Sequence, residues 1–547
     1  MPKPILRSEL LMPAGSLHKM KTAILYGADA VYCGTPDLSL RTKAQFTLEE
    51  LVEGIEYAHK KGKKVYLTLN LFSHNKDIPK LKTLVDTIKD VRPDGVIIAD
   101  PGVFSFVKKH APELELHIST QANVCSHLTV DYWKEQGAKL VVLAREVSFE
   151  ELAEIKEKCP DTKLETFIHG AMCMTYSGRC LLSNFLSERG ANQGNCSQSC
   201  RWKYKMHVQL KDGTLKEIQL TDENKDLFEF FLEEGFRPGE FMPIQETERG
   251  AYILNAKDLC LMPKLNEYLA LGIDSLKVEG RNKTNYYAAL VARSYRHAID
   301  AWAKDPENWD HEPFLAELYT LQNRGYSLAF HNNRLTNLAH NYDSAKSVAQ
   351  YENAGYIREW DGDDIIFEVK NRIDSGDLIE ILSPAMWEPI RLRITECIDA
   401  ETGEITDAVS AGQNKAIRLP ASIFLGLEGK NIKELLPQYT VARKEKSIIS
   451  DPERLKRDLH SFSTETKGSC CGTSESPCDK SKKTTTCCKK EKKEMSKSDT
   501  SPKTKKPKFG TDACCGKGCN GCLMFWHDTK FAGLRDKMKD KKIGETL

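Results

Sequence analysis

Along the first 285 residues, short apolar runs alternate with longer stretches whose apolar side chains recur every three or four positions. The runs lie at 9–15, 28–34, 64–70, 95–100, 116–123, 139–145, 164–170 and 275–281. Each is short enough for a buried strand. The intervening segments, such as 47–61 and 79–91, have the length and spacing of amphipathic helices. Alternating strand and helix predicts a parallel sheet, and eight such strands predict an α/β fold of the (β/α)8, TIM-like barrel type. About 105 residues separate the seventh run from the eighth. That is too long for one strand–helix unit, so an insertion is expected at about 165–270.

The runs end on polar residues: Asn70, Asp100, Gln121, Asn123, Arg145, His169, Glu279 and Arg281. Singly each reads as a loop residue or a cap. Together, at one end of eight parallel strands, they read as a pocket on the face where barrel active sites sit. Residues 284–304 follow with helical spacing, and the barrel is expected to span 1–335. From about Tyr351 the period changes to short strands separated by turns such as Asp361-Gly362 and Ser375-Gly376-Asp377. This predicts a small antiparallel barrel or sandwich over 345–445. Residues 463–510 hold thirteen Lys against six acids and little apolar content. A disordered basic linker is expected over 446–510, with a cysteine-rich segment at 511–547.

Composition adds bounds. The 79 Lys and Arg nearly balance the 78 Asp and Glu of the 547 residues, so any nucleic-acid site must be a local patch. The first residues lack an apolar targeting core, and no run of eighteen apolar residues occurs. A cytoplasmic, reducing setting is expected, where clustered cysteines favour metal or redox chemistry over disulfides.

The cysteines carry the candidate chemistry. Cys173, Cys180, Cys196 and Cys200 are spaced seven, sixteen and four apart, and Cys260 follows. A [4Fe–4S] cluster takes four thiolates. Zinc also takes four, but its structural sites draw on close pairs, and only Cys196 and Cys200 form one. Buried inert thiols are the third reading. The favoured set is Cys173, Cys180, Cys196 and Cys260, with Cys200 in reserve. The tail places Cys514, Cys515, Cys519 and Cys522 within nine residues. These could bind a second metal, or act as a thiol store facing a redox or sulfur-carrier partner.

Lys277, Glu279 and Arg281 alternate along the eighth run and so share its inward side. A guanidinium there suits bidentate binding of a carboxylate or a phosphate. The plainer reading is an internal ion pair of Glu279 with either base. His169 is a candidate acid or base, or else a satisfied structural histidine. Asn70, Gln121 and Arg145 complete the candidate substrate pocket. Arg201-Trp202-Lys203-Tyr204 interleaves bases with aromatics, as single-stranded nucleic-acid surfaces do. The hydrolase patterns G-x-S-x-G and H-E-x-x-H are absent.

Segment 165–183 follows the pattern E-x-F-x-x-G-[AS]-x-C-x6-C-x-x-S. With 9–16, 27–32, 192–196, 201–204, 255–260 and 277–281, it resembles the collagenase-like peptidase family over about residues 5–445. The tail beyond about 450 departs from the shorter family pattern. Several members of that family are oxygen-independent hydroxylases that hold an iron–sulfur cluster through cysteines. The resemblance is strongest to the branch that converts the wobble uridine of tRNA to 5-hydroxyuridine in a prephenate-dependent pathway. It implies Cys173, Cys180, Cys196 and Cys260 as cluster ligands, prephenate as co-substrate, and the tRNA anticodon loop as partner. Glu279 and His169 are then the candidate catalytic residues. The family name offers a peptidase as the alternative. A non-catalytic iron–sulfur or metal carrier, with the tail as its transfer arm, is the third possibility.

Overall fold

In a computed structural model the chain divides into two units, Met1–Gly472 and Thr473–Leu547. The described residues are 8–34, 46–70, 73–75, 77–172, 256–332, 348–412, 415–424, 431–447, 456–458 and 462. Five short strands between 207 and 252 are described as backbone alone. The cysteine-rich tail lies outside them.

The predicted barrel is present. Its strands are β1 (Glu9–Pro13), β2 (Ala30–Gly34), β3 (Lys64–Leu69), β4 (Gly95–Ile98), β5 (Leu116–Ile118), β6 (Leu140–Val142), β7 (Lys163–Ala171) and β8 (Ser275–Val278). Neighbours pair in parallel in this order, and β8 pairs with both β1 and β7, which closes the ring. Between the strands run α1 (Leu17–Leu25), α2 (Leu48–Lys60), α3 (Ile78–Val91), α4 (Pro101–His110), α5 (His127–Glu135) and α6 (Phe149–Lys158).

The helix ends have local causes. Thr47 with Glu50, and Ser148 with Glu151, form reciprocal capping boxes that satisfy otherwise orphaned N–H groups at the starts of α2 and α6. On α2 the stripe Leu51, Gly54, Ile55 and Ala58 is buried. Such stripes build the shell of core between helices and sheet. A separate cluster of Leu11, Ala30, Tyr32, Tyr66 and Ile97 is also fully buried.

Two short strands outside the eight predicted runs extend the sheet. Asp258–Cys260 pairs antiparallel with the end of β7, and Tyr326–Ser327 pairs parallel with Asp258–Cys260. After α7 (Leu265–Leu271) and β8, the long helix α8 (Asn285–Lys304) is capped by Thr284. Helix α9 (Glu312–Tyr319) follows.

The second predicted element is also present. Strands including Tyr351–Asp361, Asp364–Val369, Leu378–Leu382 and Val441–Glu445 form an eight-stranded antiparallel sheet. It has its own core, with Ile357, Phe367, Ile379, Ile381 and Ile417 fully buried. Gly362 supplies the left-handed turn at φ 59°. The sheet is tied to the barrel by buried polar contacts. The Tyr26 hydroxyl donates to the carbonyl of Leu382 and accepts from the N–H of Val441 at 2.9 Å. Arg443 donates to Glu380 at 2.8 Å and to Glu317 at 3.1 Å, and Glu317 also takes Arg293. Among the described residues, no helix is long and apolar enough to cross a membrane.

Candidate active site at the barrel mouth

All eight strands run the same way, so their C-terminal ends share one face. Successive inward residues of a strand stand at successive depths below it. On β8 the deeper one is Lys277. Its Nζ lies 2.6 Å from Glu165 Oε1 of β7 and over the rings of Tyr32 and Phe167. Ser275 donates to the other Glu165 oxygen at 2.9 Å. Lys277 and Glu165 are 6% and 1% exposed at their side chains, so this pair is sealed inside the barrel.

Two residues further along, Glu279 accepts from Arg145 Nη2 at 3.1 Å. The Arg145 guanidinium lies over the Phe167 ring, 3.9 Å from its centre. Glu279 retains 29% exposure while Arg145 retains 7%. Arg281 donates from Nη1 to Thr68 Oγ1 at 3.2 Å and sits over Tyr32 at 5.5 Å. Thr68 in turn donates to the carbonyl of Cys33. Across the mouth, Asn70 donates to Ser119 at 3.4 Å, beside the half-turn Thr120–Ala122 that holds the buried Gln121. Asp100 caps α4 and receives the N–H of Ser73. The structure thus joins Arg145 to Glu279, and Arg281 to Thr68. Lys277 is instead held by Glu165, one level down.

The strand ends come close because of Gly170. Its φ is 118°, and a Cβ there would stand 2.4 Å from the carbonyl oxygen of Glu279. Only glycine admits both the backbone angle and the approach. The register of β7 and β8 slips between Lys277 and Val278 at the same point, and the Glu279 N–H reaches the His169 carbonyl at 2.9 Å.

His169 lies apart from the Arg145–Glu279 pair, in a cage of Tyr287, Tyr295 and Tyr326, and is 1% exposed. Burial, with help from Lys283, pushes its pKa down to about 3, so the ring is neutral. Its Nδ1 stands 3.4 Å from the Tyr295 hydroxyl. The sequence reading did not single out these tyrosines, nor Tyr32, Thr68 or Phe167. The four-residue spacing of Tyr287, Val291 and Tyr295 on α8 was the available signal for two of them.

Comparison with known proteins follows the same boundaries. The model of peptidase family U32 matches residues 15–341, and that of the peptidase family U32 C-terminal domain matches 349–425. The chain belongs to peptidase family U32. A relative in Escherichia coli (strain K12), tRNA hydroxylation protein P, is 39% identical over 69% of this chain and 86% of its own. The Bacillus subtilis (strain 168) tRNA hydroxylation protein P1 is 37% identical over 69% of this chain and 84% of its own. A more distant relative is the Escherichia coli (strain K12) 23S rRNA 5-hydroxycytidine C2501 synthase. It is 31% identical over 54% of this chain and 40% of its own.

Of the expected cluster ligands, Cys173, Cys180, Cys196 and Cys200 lie outside the described residues, as does Arg201–Tyr204. Cys260 is described and fully buried, in register with His169. Its partner strand is β7, and Ala171, the residue opposite Asp258, is two positions before Cys173. Its Sγ lies 3.9 Å from the Tyr295 hydroxyl. Burial pushes the free thiol's pKa up to about 12, so without a metal it stays protonated. An iron ion would displace that proton. Cys260 therefore fits a ligand role by position, beside the strand that leads into the cysteine segment. Among the described residues no group of three or more His, Cys, Asp or Glu side chains is gathered for a metal.

Proposed function

We propose that this chain is a tRNA-modifying enzyme that hydroxylates the wobble uridine to 5-hydroxyuridine at the C-terminal mouth of its barrel, without molecular oxygen. The observation that carries the reading is the half-exposed Glu279, braced by Arg145 and flanked by Arg281, at the mouth of a U32 barrel. The tRNA hydroxylation proteins among its relatives support RNA as the substrate.

The geometry supports a division of labour among these residues. Hydroxylation places an oxygen atom in the C5–H bond of uridine, a two-electron oxidation in which an oxygen-atom-donating co-substrate supplies the oxygen and leaves reduced by two electrons. Glu279 is the mouth carboxylate that would accept the C5 proton. Arg145 orients it through a charge-assisted hydrogen bond at 3.1 Å. Arg281 commits one N–H to Thr68, and a guanidinium carries five donors. Its fork suits a carboxylate, and prephenate, proposed as co-substrate, has two. Asn70 and Gln121 line the opposite rim. His169, caged and neutral, holds the backbone of β7 beside Glu279. Cys173, Cys180, Cys196 and Cys260 would hold a [4Fe–4S] cluster, with Cys200 in reserve. Such a cluster supplies one-electron redox chemistry when bound. A single-stranded anticodon loop lowers the cost of presenting an unstacked base.

The test pairs two measurements: iron and sulfide content of anaerobically purified protein, and nucleoside mass spectrometry of tRNA from a strain lacking the gene. Loss of 5-hydroxyuridine, restored by the wild-type gene, is expected. Unchanged 5-hydroxyuridine would overturn the reading. Cleavage of gelatin by the purified chain would then favour the peptidase that the family name describes, and iron bound without either activity would favour a carrier.

A further inference from the structure

The start of α1 meets the C-terminal sheet in a seam that the mouth does not account for. The His18 ring lies 4.4 Å from Tyr356 and 4.9 Å from Tyr439, centre to centre. Lys21 Nζ stands 5.5 Å from the ring of Tyr57 and 5.7 Å from that of Tyr439. Lys370 Nζ stands 5.4 Å from the ring of Tyr356. Bases and aromatic rings are thus interleaved across two domains.

We propose that this seam is an RNA-binding strip, and that it guides the tRNA chain into the barrel mouth. The inference rests on the tRNA reading above and adds the surface that reading lacks.

Four observations carry it. First, the local charge is positive although the whole chain is nearly neutral. Lys19, Lys21, Arg358 and Lys370 face two acids, Glu53 on Lys21 and Glu368 between Arg358 and Lys370. Second, His18 feels that excess. Burial comes first and the lysines at 370, 21 and 19 add to it, together driving its pKa down to about 4. Its buried Nε2 has no hydrogen-bond partner among the described residues. Third, Tyr439 is held at φ 73°, in the left-handed region that a bulky side chain avoids. Backbone strain of this kind persists where the surroundings enforce it, often at binding sites. Fourth, the strip is continuous with the mouth, because Lys19 Nζ donates to the carbonyl of Arg281 at 3.4 Å.

RNA is the partner whose chemistry matches. Phosphates pair with the lysines, and bases stack on tyrosine rings whatever their sequence. An acidic protein surface would use the lysines but leave the three tyrosine rings without a role.

The experiment measures binding of a synthetic anticodon stem–loop RNA to the full chain by fluorescence anisotropy over a range of salt. The double variant Lys19→Gln/Lys370→Gln should weaken binding about tenfold near 0.1 M salt and lower the salt slope by about 1.4, two single-strand phosphate contacts. Tyr439→Gly keeps the left-handed angle and loses the ring, and should weaken binding about fivefold to a hundredfold. Lys82→Gln, on the exposed face of α3, should bind as wild type. Melting temperatures confirm that each variant is folded. If wild type does not bind the RNA, the tRNA reading itself falls. If wild type binds and the seam variants bind equally well, or no worse than Lys82→Gln, the strip is refuted. Binding of wild type to anionic vesicles in preference to RNA would also refute it.

Discussion

The barrel interior holds two acid–base pairs, one above the other, and they differ in what they are open to. Glu165 and Lys277 lie 2.6 Å apart with 1% and 6% side-chain exposure. Glu279 and Arg145 lie 3.1 Å apart with 29% and 7%. The residue types are nearly the same. The lower pair is roofed by the upper one and by Tyr32 and Phe167, so no substrate reaches it. The upper pair stands where eight strand ends open. Depth, set by a two-residue step along β8, separates a sealed pair from one whose carboxylate is open to the mouth. A second contrast points the same way. A cavity of about 280 Å³ lies at the opposite end of the barrel, lined by Glu9, Lys64, Tyr66, His117, Asp274 and Ser275. These residues cluster at the starts of strands, where a barrel invests in stability, and chemistry gathers at the strand ends.

The largest effect is expected at the lower pair. Lys277→Ala leaves the Glu165 carboxylate buried without its base and should cost about 3–5 kcal/mol of stability in denaturant unfolding. The double change Lys277→Met with Glu165→Gln should recover most of it. A single variant as stable as wild type would show that the pair is not sealed.

At the upper level the effect should fall on activity. Arg281→Lys keeps the charge and loses the fork, and hydrogen bonds to charged groups are worth about 1.5–3 kcal/mol. Hydroxylation should drop about tenfold to a hundredfold with iron content and melting temperature unchanged. A lower melting temperature with normal activity per folded molecule would move Arg281 from substrate binding to bracing.

The tyrosine cage predicts a pH response. His169 has a folded pKa near 3, below the ordinary histidine value, so between the two the unfolded chain binds the extra proton. Its contribution is therefore complete above about pH 6.5 and declines as pH falls, by about 1.4 kcal/mol per pH unit. His169→Gln should flatten the fall of melting temperature between pH 6.5 and 5. An unchanged slope would mean that other groups set it.

The smallest effect is expected at the lower end. Burial raises the pKa of Glu9, so its part in stability is present at low pH and is lost as pH rises through that raised value. Glu9→Gln does not ionise, and should leave stability within about 0.5–1 kcal/mol and hydroxylation unchanged. A loss of hydroxylation would give the lower cavity a functional role.

Much of this architecture is legible in the chain. The eight apolar runs became the eight barrel strands, because a strand buried on both faces needs a continuous apolar run. Helices read at 47–61 and 79–91 appear as Leu48–Lys60 and Ile78–Val91. The strand Asp258–Cys260 was not legible, since three residues carry no period. The polar strand ends were legible as a set, but their pairing was not. Arg145 and Glu279 are 134 residues apart, and Arg281 and Thr68 are 213 apart. Partners across a barrel depend on closure, which no local pattern encodes. Glu279 therefore pairs with Arg145, where the local pattern had offered Lys277 or Arg281. His169, read as acid or base from its place at a strand end, is surrounded by tyrosines from α8 and from the strand Tyr326–Ser327.

Under the proposed function Glu279 is required for RNA hydroxylation, and nucleoside mass spectrometry of tRNA tests this most directly. A strain lacking the gene would be complemented with wild type, Glu279→Gln or Glu9→Gln, each matched for folded protein. Wild type and Glu9→Gln should restore 5-hydroxyuridine, and Glu279→Gln should leave it at the level of the empty strain. Full restoration by Glu279→Gln would contradict the assignment of the barrel mouth as the active site.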